Sequence, residues 1–184
     1  DPHDRLPHHV IWAFVDHNDD IWVDYELIVH CELDELANQV KTVEKQRWYK
    51  MRRRLIDPNF GRSPAASGSN QSVMQELARH GCGFYEANDN KELGHMLVRD
   101  LLHYNMSKPV TAINKPKLFF NRERTPRTIR SMKNYQFQEW QGKTKGERDA
   151  KEENKEKDAH GADCVRYLVI SRPRHGRLTE SQEF

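Results

Sequence analysis

Two apolar runs rich in β-branched and aromatic residues, separated by a cluster of Asp and Asn, dominate the start of the chain: "HHVIWAFVDHNDDIWVDYELIVH". This stretch constrains the fold most, because β-formers bounded by turn residues pair with their neighbours. It predicts strands at Val10–Val15 and Ile21–Val29 around a turn at Asn18–Asp20, a β-hairpin. Beyond the hairpin, helix alternates with strand. "LDELANQVKTVEKQRWYKM" sets Leu33, Leu36, Ala37, Val40 and Val43 at helical spacing, with Asp34 and Glu35 where a helix dipole favours acids. "RRRLIDPNFG" predicts a short strand ending at Asp57, because Pro58 disfavours helical backbone in its predecessor and Gly61 comes soon after.

The stretch "GRSPAASGSNQS" reads as a loop and lacks the GxxxxGK[ST] pattern, so no nucleotide cradle is expected there. Val73, Met74, Leu77 and Ala78 predict a helix stopped by Gly81, followed by a short strand in "CGFYEAN". A further helix in "DNKELGHMLVRDLLHY" has Asp89 or Asn90 as its cap and Leu93, Leu97, Leu101 and Tyr104 on its buried side. "VTAINKPKLFFN" predicts a small hairpin turning at Asn114–Pro116, and "TPRTIRSMKNY" a helix capped by Thr125 with Pro126 in its first turn. The last apolar run is a helix opened by "KDAHGADCVRY", and the residues after Arg172 form a tail.

Composition sets outer bounds on this order of elements. A chain of 184 residues suits one domain with a sizeable core. A mean hydropathy of −0.98 fits polar loops around periodic apolar groups. The net charge of +2 means that any affinity for nucleic acid must come from a local basic surface. Cys31, Cys82 and Cys164 are far apart with no zinc or redox spacing, which points to a reducing compartment and away from structural zinc. No run approaches a membrane span and no leader pattern occurs, so a soluble, unexported protein is expected.

Acidic residues recur at comparable places in this α/β order: Asp1 with Asp4 before the first strand, Asp57 at a strand end, and Asp163 on the last helix. In α/β sheets, sites gather at the carboxyl ends of strands. Carboxylates brought together there raise one another's pKa unless a cation intervenes, and Mg²⁺ or Mn²⁺ is the hard cation that carboxylate oxygen prefers. Two such ions would suit phosphodiester hydrolysis. His160 and Asp163 are spaced i, i+3 on one helical face. His160 is a candidate metal ligand, a proton shuttle or a residue of the capping region, and Asp158 and Glu156 are reserve ligands.

The ordered set "DPHD", "RLIDPN", "NDNKELGHMLVRDLL", "KLFFNRERTPRTIRSMKNY" and "KDAHGADCVRYLV" closely resembles the nuclease domain of tailed-bacteriophage large terminase subunits, over nearly the whole chain. Its most specific element is the HxxDxxRY at the end, where Asp163 matches the family's last metal-binding aspartate and His160 a histidine of some members. Asp57 matches the second aspartate and Asp1 the first. The resemblance implies a ribonuclease H-like fold over residues 1–172, with a central mixed β-sheet flanked by helices, and metal-dependent cleavage of concatemeric double-stranded DNA during genome packaging. It implies a monomeric domain acting in the host cytoplasm at the procapsid. The full-length protein would add a packaging ATPase domain, a portal protein and a small terminase subunit as partners, none of it at a membrane.

Two other readings are weighed beside it: a junction-resolving nuclease on the same scaffold, and a DNA-binding or motor-docking module without turnover. Arg52, Arg53, Arg54, Lys143 and Lys145 are candidate phosphate contacts. The segment Gln141–Lys157 lacks apolar anchors, and from Lys143 to Asp158 six basic residues balance six acidic ones. It is expected to be a flexible loop or a mobile hairpin tip beside the site, placed to gate it.

Overall fold

The opening hairpin forms as the sequence predicts and starts two residues earlier. In the structure, a computed structural model that describes residues 7–65, 70–141 and 159–176, β1 (His8–Val15) and β2 (Ile21–Val29) pair antiparallel from His8↔Val29 to Val15↔Ile21. Asp16 closes the turn, its Oδ1 accepting from the amides of Asn18 at 2.8 Å and Asp20 at 3.1 Å. Asp19 takes a left-handed φ of 60°, which Asp tolerates better than most residues.

Trp12 faces Tyr25 while Ala13 faces Val23, so Asp24 is an extra residue, a β-bulge. The bulge turns β2 over. Ile21 and Val23 pack into a core with Leu118, Val165 and Val169, whereas Tyr25, Leu27 and Val29 pack into another with Trp12, Leu36 and Val40. Side chains of one parity therefore serve both faces, as a one-residue slip requires. The bulged Asp24 receives the Tyr49 hydroxyl and pairs with Arg124 at 2.6 Å.

Around the hairpin the chain builds a mixed α/β fold, a small mixed sheet flanked by helices. Helix α1 (Leu33–Gln46) packs on the first core. Strand β3 (Leu55–Ile56) leads through α2 (Pro58–Arg62) and α3 (Val73–Arg79) to β4 (Tyr85–Glu86), which pairs with β3 in parallel as a separate ribbon. Then come α4 (Lys91–Leu102), β5 (Leu118–Phe120) parallel to β2, α5 (Pro126–Gln141) and α6 (His160–Ile170), with α4 and α6 packed on the second core. No helix among the described residues is long and apolar enough to cross a membrane. All three cysteines are unbridged.

Three local expectations are corrected. The loop expected from Gly61 onward starts later, because Gly61 and Arg62 belong to α2, whose first turn holds Pro58, where its missing N–H costs nothing. The hairpin predicted around Asn114–Pro116 does not form. Asn114 instead folds the segment onto itself, its side-chain amide donating to the carbonyls of Asn105 and Pro109, both at 3.0 Å, and β5 pairs with β2. Thr125 does not cap α5 with its side chain: the Arg127 and Thr128 amides bond to Glu26, and the Thr125 hydroxyl donates to the Asn121 carbonyl at 2.7 Å. Asn90 is the α4 cap, accepting from the Leu93 amide at 3.0 Å, and Gly81 ends α3 at a φ of 75°. The start of the tail is fastened to the hairpin turn by the His175 amide on Asp19 Oδ1 at 2.8 Å.

Candidate functional site

Asp57 stands where β3 becomes α2. Its extended backbone ends the strand, and Oδ1 caps the new helix by accepting from the amides of Asn59 at 2.7 Å and Phe60 at 3.1 Å. Oδ2 accepts from the Tyr167 hydroxyl. Partial burial pushes the Asp57 carboxyl up, but the Tyr167 hydroxyl and the two amides outweigh it and hold the group below the usual carboxylate range. Asp57 is therefore ionised and fixed in direction.

Tyr167 lies one turn beyond Asp163 on α6, and the i, i+4 spacing puts both on one side of the helix. Asp163 is half-buried and its charge reaches Tyr167, whose phenol is pushed up by burial, by its bond to Asp57 and by both carboxylates. Arg166, buried beside them, donates to Asp163 Oδ1 from Nε at 3.1 Å, with an Nη 3.0 Å from the same oxygen in the ion pair. Its guanidinium carbon also sits 4.3 Å from the Tyr167 ring centre. The Arg166 stem fits a notch in α4 at Gly94, where a Cβ would stand 2.3 Å from its Cγ. Two carboxylates from distant parts of the chain thus flank one tyrosine, the first oriented by it and the second by an arginine.

A second polar cluster, which the sequence did not point to, braces the start of α6. Glu26 of β2 caps α5 from outside, accepting from the amides of Arg127 at 2.8 Å and Thr128 at 2.7 Å and from the Thr128 hydroxyl at 2.6 Å. His9 Nε2 stands 3.0 Å from Thr128 Oγ1 and 3.4 Å from Glu26. Burial pushes Glu26 up, yet His9, Thr128 and the amides win and bring it to about 2. Burial lowers His9, with help from the charge of His160 nearby. Gly161 lies against Thr128, His9 and Ser131, and the Ser131 hydroxyl accepts from the Ala162 amide at 3.0 Å. An acid within a strand-forming run, Glu26 in "DYELIV", is the one signal of this cluster in the sequence.

Of the predicted site residues, Asp57 and Asp163 are brought to the two sides of Tyr167, and His160 begins α6 next to His9. Asp1, Asp4, Glu156, Asp158, Lys143 and Lys145 lie outside the described residues, as does the predicted mobile segment beyond Gln141. Arg52 and Arg53 are exposed, Arg53 resting 5.1 Å from the Tyr85 ring centre. Arg54 is committed elsewhere, gripping the buried Glu44 with bonds of 2.8 and 2.6 Å.

Among the described residues no three His, Cys, Asp or Glu side chains cluster closely enough to enclose a metal ion. Asp57 and Asp163 supply two carboxylates, and a hard cation of the Mg²⁺ kind takes one or two and keeps its waters. Both Arg166 contacts, one hydrogen bond and one ion-pair approach, are to Asp163 Oδ1, and among the described residues no hydrogen bond reaches Oδ2. No family model, curated protein or solved structure matches the chain.

Proposed function

We propose that this chain is a divalent-metal-dependent DNA endonuclease domain of ribonuclease H-like type, similar to the nuclease of large terminase subunits and cutting double-stranded concatemers during genome packaging. The observation that carries the reading is the pair Asp57 and Asp163, one at the carboxyl end of a strand and the other on the last helix, flanking Tyr167. Asp57 and Asp163 would hold Mg²⁺ or Mn²⁺, with a second ion drawing on Asp1, Asp4 or Asp158. Bound there, the metal supplies Lewis acidity at the phosphoryl group and a hydroxide at neutral pH.

The chain's own residues do the positioning. Tyr167 and the α2 amides keep Asp57 deprotonated and aimed, and Arg166 holds Asp163 in one rotamer. Exposed Arg52 and Arg53 are available for phosphate oxygens, which carry no sequence information, so binding would be non-specific and steeply salt-dependent. DNA, the packaging ATPase domain, the portal and the small subunit are the partners this reading calls for.

Plasmid cleavage with Mn²⁺, with and without chelator, tests the proposal in the wild type and in Asp57→Asn and Asp163→Asn. Each swap keeps the shape and removes a charged ligand. Metal-dependent nicking lost in both variants supports it, and full activity in either one sinks the site. The Asp163–Arg166 ion pair favours a second reading, a DNA-binding or docking module without turnover, because a paired carboxylate binds cations less readily. Salt-dependent DNA binding with no cleavage under any metal would select it.

A further inference from the structure

Trp48 is 89% exposed and takes a left-handed φ of 56°. It follows the end of α1, where its amide donates to the Lys45 carbonyl at 3.3 Å and the Tyr49 amide to the Glu44 carbonyl at 2.9 Å. That pair of bonds is the closure at which helices usually place glycine, because a residue without a Cβ enters the left-handed region freely. A bulky side chain there is a true outlier, and backbone strain of this kind gathers where chains bind or react. The indole contributes little to the fold: it stands in solvent, and among the described residues no hydrogen bond or ring contact holds it. Its neighbour does the opposite. Tyr49 turns inward, its ring 6.4 Å from that of Trp12 and its hydroxyl donating to Asp24, so the turn that projects Trp48 is anchored before any ligand arrives.

The charge along the same stretch narrows what the ring meets. From Lys45 to Arg54 the chain carries Lys45, Arg47, Lys50, Arg52, Arg53 and Arg54 and no acidic residue. Arg47 rests 3.7 Å from the Tyr25 ring centre and Arg54 grips Glu44, whereas Lys45, Lys50, Arg52 and Arg53 are exposed. Tyr85, 56% exposed, adds a second ring to this stretch: its amide donates to the Arg54 carbonyl at 2.8 Å, and the Arg53 guanidinium lies 5.1 Å from its ring centre. Exposed aromatic faces interleaved with exposed cations suit a polyanion whose own rings stack, which is a nucleic acid strand. Trp and Arg also anchor protein interfaces, but charged residues are depleted at the core of those interfaces, and here four exposed cations flank the ring in sequence. Within a duplex both faces of a base are covered by its neighbours, so a free indole stacks on an unpaired one.

We propose that Trp48 is a stacking platform for an unpaired base of a DNA strand, with Lys45, Lys50, Arg52 and Arg53 meeting the phosphates beside it. The inference rests on the nucleic-acid part of the proposed function and not on metal chemistry at Asp57. The segment runs into β3, whose end is Asp57, so one short run of chain joins the platform to the candidate site.

Two probes test it: an oligothymidylate of about ten nucleotides, and an oligomer of the same length in which every nucleotide is abasic, which keeps the phosphates and removes the rings. The wild type is expected to bind the first about tenfold more tightly than the second, with quenching of the Trp48 emission, taken as wild type minus Trp48→Phe. Trp48→Gly is expected to bind both probes alike and to have a higher urea midpoint than the wild type, because glycine relieves the strained turn. Lys50→Ala is expected to weaken both probes equally and to lower the salt slope by about 0.7. A Trp48→Gly chain that still prefers the oligothymidylate overturns the proposal, as does one with a lower urea midpoint, since the indole then serves the fold. Equal binding of the two probes by the wild type also overturns it, and the ring is then a contact for a protein. The titrations need neither metal nor cleavage: preference for the bases in a chain that never cleaves sinks the nuclease reading alone, and cleavage without that preference sinks this proposal alone.

Discussion

The Tyr167 hydroxyl donates to Asp57 Oδ2 across 110 positions of sequence and ties the last helix to the end of β3. Any function that draws on Asp57 therefore senses how α6 is seated. Replacing Tyr167 by Phe removes one hydrogen bond to a charged group while keeping the ring under Arg166. The expected cost is about 2 kcal/mol of stability, read from the urea midpoint, with a rise in the Asp57 pKa seen by carboxyl NMR titration. Cleavage, where the nuclease reading holds, falls about tenfold because the carboxylate is less well aimed. An unchanged Asp57 titration would show that the two α2 amides alone hold it.

Acid sensitivity has a predictable order. His9 is lowered in the fold by burial, so the unfolded chain takes up its proton first, and this part of the stability is present above about 6.5 and lost as pH falls below it. Glu26 is held at about 2 by His9, Thr128 and the α5 amides, against burial. Its contribution is present above its unfolded value of about 4.3 and is lost between there and about 2. Glu26→Gln should flatten the lower part of the curve and cost about 2 kcal/mol at neutral pH. Thermal melts from pH 7 down to 2 give the answer, and identical curves for wild type and variant would refute this account.

Gly94 tests the link between α4 and Asp163. Alanine there would raise helix propensity by about 1 kcal/mol, yet its Cβ would stand 2.3 Å from Arg166 Cγ and 2.9 Å from Ile170 Cδ1. Arg166 has to shift, so Gly94→Ala should lower stability by about 1–3 kcal/mol and weaken the Asp163 pair. Arg166→Ala combined with Gly94→Ala removes the Cγ and Cδ that the new Cβ would meet. If the clash is the cause, the double variant loses less than the two single losses added together.

How far the sequence could lead is visible residue by residue. The hairpin, α1 and the strand end at Asp57 are legible because local alternation, helical spacing and a following Pro determine them. The bulge at Asp24 is not, since one extra residue in a strand leaves its β-forming composition unchanged and only the partner's register reveals it. For the α5 cap the sequence points to Thr125, the adjacent hydroxyl, whereas Glu26 supplies it from 101 residues away. Asp163 is singled out in the sequence by its place in HxxDxxRY, and the structure sets it one turn before Tyr167. Tyr167 looks like an ordinary buried helix position, because i, i+4 spacing serves a core contact and a carboxylate partner equally well.

The predicted phosphate contacts separate into two kinds that a pair of substitutions distinguishes. Arg52 is exposed and comes after α1 at the start of a basic run. Arg52→Ala should change stability by less than about 0.5 kcal/mol and, if it meets a phosphate, weaken DNA binding while reducing the salt slope by about 1. Arg54 grips Glu44, whose side chain is 9% exposed, with two bonds from one guanidinium. Removing it strands a buried carboxylate, so Arg54→Ala should cost about 3 kcal/mol, with any loss of binding a result of unfolding. Glu44→Gln with Arg54→Met removes both charges together and should recover most of that stability, because two apolar or neutral groups of similar shape replace a buried pair at little cost. Urea melts beside salt titrations of DNA binding decide it. If Arg54→Ala keeps wild-type stability and loses salt-dependent affinity, Arg54 is a phosphate contact after all and its grip on Glu44 is incidental.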